Sequence, residues 1–363
     1  MGRPPAALQE NVLLASHTTI GLGGPARFFF SAPGVEEIRQ ALAWARDEGL
    51  PVHILGGGSN TVFADEGYPG LVLHVALRGV EFHEAGAWVE VTAAAGEVWD
   101  DLVRTCVERG LGGIECLSGI PGQVGATPVQ NVGAYGQEVA ETIVSLVALD
   151  RRTLREVRFS GPECGFGYRR SRFKEEDRGR YVIASVTYRL SAEGQPTVRY
   201  AELRRYLEER TDLSALGSGR PALQRVREAV LALRRSKSML VEPADPHSRS
   251  AGSFFLNPTL TPDRARRLTE RWQALGGKGD PPFFSVAEGV RVPAAWLVEQ
   301  AGFPRGHRRG NVGLSAHHAL ALVNYGGTTE ELLALAEEIR EAVYARFGLW
   351  LEVEPEVVRG GWR

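Results

Sequence analysis

The chain has 363 residues, too many for one ordinary hydrophobic core, so two or three domains are expected. Its composition is globular, 43% hydrophobic and 24% charged, and a net charge of −2 supplies no field toward nucleic acid or anionic lipid. No apolar run approaches the ~20 residues of a membrane span.

The first nine residues lack a basic segment followed by an apolar stretch, so no signal peptide is expected. Cys106, Cys116 and Cys164 form neither a CxxC pair nor an even set. That argues against a disulfide framework or zinc site and fits a reducing cytoplasm.

In chain order, residues 26–31 predict a strand, and 35–48 a helix with Ile38, Ala41, Leu42 and Ala45 on one face. Val52–Leu55 reads as a short strand running into Gly56-Gly57-Gly58, and 71–75 as another. Residues 88–93 predict a strand and 97–109 an amphipathic helix, followed by the glycine-rich stretch 112–136. Strands follow at 142–150, 155–159 and 181–190, and Gly217-Ser218-Gly219 reads as a linker. Helices are expected at 221–235, at 261–275 (capped by Thr261, with Pro262 in its first turn), at 293–301 and at 328–347. A strand is expected at 349–358. The pattern is α+β.

Gly21-x-Gly23-x-x-Ala26 fits the dinucleotide fingerprint, but Pro25 and Phe28-Phe29-Phe30 make the following segment a strand, not the required helix. It reads as a turn. No P-loop motif occurs. Leu55, Gly56, Gly57, Gly58, Ser59 and Asn60 make a better phosphate loop, because bare glycine N–H groups converge on an anion. The segment 119–136, GIPGQVGATPVQNVGAYG, is apolar and long, where a structural loop is normally polar. Glycines interleaved with apolar and amide side chains suit a backbone lying along a planar heterocycle. The candidates there are Ile120, Pro121, Gly122, Gly125, Ala126, Gln130, Asn131, Gly133, Ala134 and Tyr135.

These two loops, together with FGYR at 166–169, AGSFFLNP at 251–258 and EPEV at 354–357, stand in the order found in UDP-N-acetylenolpyruvoylglucosamine reductases. The chain resembles that family from Thr19 to Val358. The resemblance implies a two-part FAD-binding fold of the vanillyl-alcohol oxidase type plus a smaller α+β substrate-binding domain. It divides the chain at 1–79, completed by about 335–363, then 80–216 and 217–334. It also implies FAD, NADPH as reductant and a UDP-sugar substrate; noncovalent attachment is expected because no cysteine or histidine lies inside the two loops, and neither charge, hydropathy nor ligand spacing points to a nucleic acid, membrane or metal partner. The chain would then be a cytoplasmic enzyme of cell-wall precursor synthesis, a monomer or weak dimer.

The family reaction adds hydride to an enolpyruvyl ether, leaving carbanion character beside a carboxylate, and then protonates that carbon. The resemblance places Arg169 on the carboxylate, where a guanidinium fork gives paired hydrogen bonds. Without it, Arg169 reads as one of a solvated basic run. Ser253 is implied as the proton donor and Glu356 as an enolate partner in its protonated form. Tyr168, Tyr200, Lys237, Asn257 and His318 are implied substrate contacts, although a cation at Lys237 also suits the end of a helix. Two rival readings are an FAD-dependent oxidase of the same fold and a silent nucleotide-sugar binder. Neither accounts for Arg169, Ser253 and Glu356 together.

Overall fold

Alternating and continuous apolar runs produce two neighbouring strands, Pro25–Ala32 and Tyr68–Val75, in the computed structural model, which describes residues 3–359. Phe30, Ala32, Leu71 and Leu73 are buried there. The Val35–Asp47 helix buries Ile38, Ala41, Leu42 and Ala45, the face its sequence period predicts. Val52–Leu55 pairs in parallel with 71–74, placing Leu55 opposite His74 and releasing the chain into the first glycine loop.

Contacts divide the chain into two units. The first comprises the residues before Leu13, Ala26–Gly57 and Pro69–Leu240, and the second Leu13–Pro25, Gly58–Tyr68 and the residues from Val241 onward. Besides the four-stranded sheet ordered Gln9–Leu13, Pro25–Ala32, Tyr68–Val75, Val52–Leu55, the first unit contains a five-stranded antiparallel sheet. Its order is Glu156–Ser160, Ile143–Asp150, Tyr181–Ser191, Trp88–Ala94, Val80–Ala85. Tyr188 is fully buried on it and shares a 2.8 Å hydrogen bond with the Thr127 hydroxyl, which fixes one edge of the second glycine segment. The Val80–Ala85 strand was not expected, because its burial pattern is largely exposed and carries no clean alternation.

The Trp99–Glu108 helix meets the Gly219–Ser236 helix through an ion pair. Arg227 donates from Nη1 and Nη2 to both carboxylate oxygens of Asp100 at 2.6 and 2.8 Å, and Gly119 N–H donates to the same carboxylate at 2.6 Å. One carboxylate thus ties two helices to the start of the glycine segment. Burial raises the Asp100 pKa, but Arg227 and the Gly119 amide outweigh it and leave the group below its ordinary value.

Gly217-Ser218-Gly219 is not a linker between units. The helix beginning at Gly219 packs Val226, Val230 and Leu233 with Cys116 and Leu203 in the first unit, and the units change only after Leu240. A short helix, Ala201–Glu208, precedes it; the sequence reading missed this element because eight residues show barely two turns of periodicity.

The second unit is built on an antiparallel sheet ordered Ser250–Ser253, Ala321–Asn324, Val312–Leu314, Arg308–Arg309 and on the helices Pro262–Ala274, Ala294–Gln300 and Thr329–Phe347. Thr261 caps the first helix as expected, and Thr328 with Glu331 forms a capping box on the last. The expected strand at 349–358 is shorter. Only Glu356–Val358 pairs, in parallel with Thr61–Phe63, while Val353 makes an isolated bridge to Phe255. Pro355, which has no N–H, separates the two.

Asp100→Asn is expected to lower unfolding free energy by about 2 kcal/mol at neutral pH, the scale of hydrogen bonds to a charged group. Because the folded pKa lies below the unfolded value, this contribution is present above about pH 4. It disappears as pH falls through the folded value. Urea denaturation from pH 7 downward should show the full difference at pH 7 and a progressive decline below about pH 4.

Candidate active site

The glycine loops meet backbone to backbone in the first unit. A Cβ on Gly57 would lie 2.8 Å from Gly122 Cα, and one on Gly56 would lie 3.4 Å from Gln123 Oε1. Two segments about sixty residues apart in sequence therefore form one bare-backbone cradle. Gly122 sits at φ 118, and its carbonyl accepts from Trp99 N–H at 3.0 Å. Gly125 N–H donates to Ala95 O at 2.8 Å, and a Cβ there would collide with the Ala95 Cβ. Leu55 is buried, and Ile120, Pro121 and Gln130 are half-buried.

Gly58, Ser59 and Asn60 belong to the second unit. Gly58 has φ 62, and any Cβ would strike the His17 carbonyl. Asn60 O accepts from Glu356 N–H at 2.9 Å, so the end of this loop and the expected enolate partner are hydrogen-bonded neighbours. Glu356 itself is exposed.

Asn131 was expected to read a ligand edge, but the structure commits its side chain elsewhere. Nδ2 donates to Glu138 Oε2 at 2.7 Å and Gly167 O at 2.9 Å, and Oδ1 accepts from Ala140 N–H at 3.0 Å. Its work is to shape the loop. Gly133 lies against Glu138, where a Cβ would come 2.7 Å from Cγ, and Ala134 is half-buried beside it.

Arg169 differs from its basic neighbours. Arg170 and Arg172 bind the carboxylates of Glu175 and Asp177, the ordinary fate of surface arginines. Arg169 is half-buried, and its Nη2 donates to Gly133 O at 2.7 Å and its Nη1 to Asn131 O at 3.4 Å. The guanidinium also lies 5.5 Å from the Tyr168 ring centroid.

Tyr135, Tyr200 and Lys237 are brought together. The tyrosine rings meet edge to face at 5.6 Å, and Lys237 Nζ lies 5.7 Å from the Tyr135 centroid. Lys237 also donates to Glu202 at 2.6 Å. Burial pushes the Tyr135 phenol up to about 12. The neighbouring Arg234, buried and donating to Gly119 O and Met239 O, was missed in the sequence because it stands in a helix that reads as amphipathic throughout. Glu115 was missed likewise; fully buried, it accepts from Gly113 N–H, Thr197 N–H and Gln137 Nε2.

In the second unit, Ser253 ends the Ser250–Ser253 strand at a register shift, with Gly252 at φ 75 just before it. The Ser253 hydroxyl is half-buried and has no hydrogen-bond partner among the described residues. Asn257 Oδ1 accepts from Ala294 N–H at 2.8 Å and so caps a helix, and His318 Nδ1 accepts from Leu320 N–H at 3.1 Å. Both side chains have local structural partners. Among the described residues no group of three or more His, Cys, Asp or Glu is placed to hold a metal ion, and no helix is long and apolar enough to cross a membrane.

Comparisons with known proteins fit this geometry. A family model described as FAD binding domain matches residues 26–153, and one described as UDP-N-acetylenolpyruvoylglucosamine reductase, C-terminal domain, matches 244–358. The UDP-N-acetylenolpyruvoylglucosamine reductase of Thermobifida fusca is 46% identical over 354 residues, covering 96% of this chain and 97% of its own. That of Streptomyces coelicolor is 45% identical over 350 residues, covering 95% and 88%. The crystal structure of UDP-N-acetylenolpyruvylglucosamine reductase from Thermus caldophilus superposes with a TM-score of 0.63 at 25% identity, over 96% of this chain and 97% of that one. The residues present fit an FAD: the backbone at Gly57 and Gly122 is bare and closely packed, and Gln123 Oε1 is buried beside it without a hydrogen-bond partner. With relatives this similar along nearly its whole length, the chain belongs to the UDP-N-acetylenolpyruvoylglucosamine reductase family.

Proposed function

We propose that this chain reduces UDP-N-acetylglucosamine enolpyruvate to UDP-N-acetylmuramate in peptidoglycan precursor synthesis, with noncovalently held FAD and with NADPH as reductant. The observation that carries the residue assignments is the anchoring of Arg169 on the carbonyls of Gly133 and Asn131, inside the glycine segment that resembles the family's flavin loop. The FAD that the two glycine loops would hold would supply hydride chemistry, with NADPH as the source of electrons and the substrate's vinyl carbon as the acceptor.

The chain's own residues then handle charge and proton. Arg169 holds the substrate carboxylate and stabilises the enolate that develops on it; its fork is fixed before substrate arrives, so little reorganisation is needed. Ser253 delivers a proton to the adjacent carbon, its hydroxyl uncommitted to the protein. Glu356 stabilises the enolate oxygens from its place beside Asn60. Tyr168, Tyr200 and Lys237 bind the sugar nucleotide, with Asn257 and His318 as contributors whose ring and amide are already oriented by local bonds. Leu55 to Asn60 and the segment from Ile120 to Tyr135 hold the cofactor. Burial keeps the thiols neutral and unreactive, those of Cys106 and Cys164 being pushed up to about 12, which supports noncovalent attachment. We place the enzyme in the cytoplasm, as a monomer or weak dimer.

A yellow preparation whose absorbance bleaches with NADPH and returns with the enolpyruvyl sugar tests the reading. Return with oxygen alone, and none with the sugar, would favour an oxidase.

Three variants dissect it. Gly57→Ala puts a methyl into the Gly122 backbone, and overpacking of this kind costs about 1–3 kcal/mol, so FAD affinity should fall about tenfold or more. The flavin-to-protein absorbance ratio of the purified variant reads this directly. Arg169→Lys keeps a charge but loses the fork, and turnover should drop by about 10²–10³ while FAD content stays normal. Ser253→Ala should separate the half-reactions in stopped-flow. Flavin reduction by NADPH should remain near normal, whereas reoxidation by the enolpyruvyl sugar should slow by about 10²–10⁴. The opposite pattern would remove Ser253 from the role of proton donor.

A further inference from the structure

Gln123 lies in the second glycine segment and is 7% exposed. Its Nε2 stands 3.2 Å from His74 Nε2, and His74 Nδ1 stands 2.9 Å from Ser31 Oγ. The His74 ring is also stacked on Phe29, with 6.2 Å between centroids. One end of the Gln123 amide is therefore held by His74, on the strand that pairs in parallel with Val52–Leu55, and through it by Ser31 on the neighbouring strand. The other end, Oε1, is buried without a hydrogen-bond partner and faces the bare backbone at Gly56.

An unsatisfied buried carbonyl costs about 1–3 kcal/mol, so such a group is retained where a ligand completes it. Rotating the amide would exchange which atom is free, without removing the vacancy. In the orientation present, His74 Nε2 accepts from Gln123, His74 Nδ1–H donates to Ser31, and the free atom is an acceptor with no proton to give.

We propose that Gln123 contacts the bound cofactor, its Oε1 accepting a hydrogen bond from a hydroxyl or ring N–H of FAD, with His74 as the positioning residue that holds the amide. The proposal rests on the assignment of the two glycine loops to FAD. In this orientation a pyrophosphate oxygen is not the partner, because it offers only lone pairs to a carbonyl that also offers only lone pairs.

The test is titration of deflavinated protein with FAD, followed by quenching of flavin fluorescence, alongside the apoprotein's thermal midpoint. Gln123→Leu keeps most of the volume and removes the acceptor; it should weaken FAD binding about 3- to 10-fold with the apoprotein midpoint unchanged. His74→Phe keeps the stack on Phe29 and frees the amide; it should weaken binding about twofold. The double variant should be no weaker than Gln123→Leu alone, because His74 acts only through Gln123. Wild-type affinity in Gln123→Leu, or losses that track a lowered apoprotein midpoint in both variants, would overturn the proposal. Should Gln123→Leu fail to fold, unchanged affinity in His74→Phe would overturn it equally. Failure of the unaltered apoprotein to bind FAD would instead strike down the loop assignment itself.

Discussion

A backbone packs against Gly122 as closely as that of Gly57 does only where it carries no side chain, and the first unit is arranged around that approach. The parallel pairing of Val52–Leu55 with 71–74 aims the first loop, and Trp99 N–H holds Gly122 O from the other side. Asp100 extends the restraint, gripping Gly119 N–H and Arg227 with one carboxylate. The glycines are thus set in a rigid frame, with bare backbone presented by elements that cannot easily yield. A phosphate or a flat ring gains from such a frame because the donors need no ordering on binding.

Much of this was legible in sequence. The glycine clusters, the absence of polar filler between them, and the strand before Gly56 all survive in three dimensions, since they follow from local chemistry. The caps at Thr261 and Thr328 are likewise local and appear where expected. What could not be read is which polar side chains face inward. Glu115, Arg234 and Gln123 look like ordinary charged or amide residues of a loop or helix, and only the fold shows that each is buried and that two of them brace the glycine segment. The 349–358 segment failed for a related reason. Its apolar alternation is real, with Leu351 buried and Glu352 exposed, but Pro355 lacks the N–H that a continuous ladder requires.

The amide and basic residues singled out by motif fall into two kinds. Asn131 and Asn257 bond backbone groups around them, and their replacement would deform a loop or uncap a helix before it touched a ligand. Lys237 is bound to the Glu202 carboxylate at 2.6 Å, so its charge is already partnered within the protein. That pairing holds the cation in place, although nothing in the sequence context of Glu202 marks it. Arg169 is of another kind: backbone carbonyls, neutral and fixed, orient it without cancelling its charge. Its charge is therefore not neutralised by these two partners, as the charges of Arg170 and Arg172 are by carboxylates.

The backbone bears the same stamp. Besides glycines, the described residues with positive φ are Asn11, Asn131, Tyr135, Leu154, Arg169 and Ser238. Asparagine enters this region readily, but tyrosine and arginine do so at a cost of about 1–2 kcal/mol each. Tyr135 and Arg169 belong to the proposed cofactor and substrate segments, Asn131 shapes the turn that anchors Arg169, and Ser238 follows Lys237. Leu154 sits in a hairpin turn, where the conformation serves topology alone. Conformations unfavourable to the free chain persist only where the surrounding contacts over-determine them, and Arg169 is pinned by two carbonyls, with Lys174 Nζ donating to its own carbonyl at 3.2 Å. The strain is therefore carried by the same contacts that aim the guanidinium, and the fold's stability and the site's geometry are secured by one set of bonds.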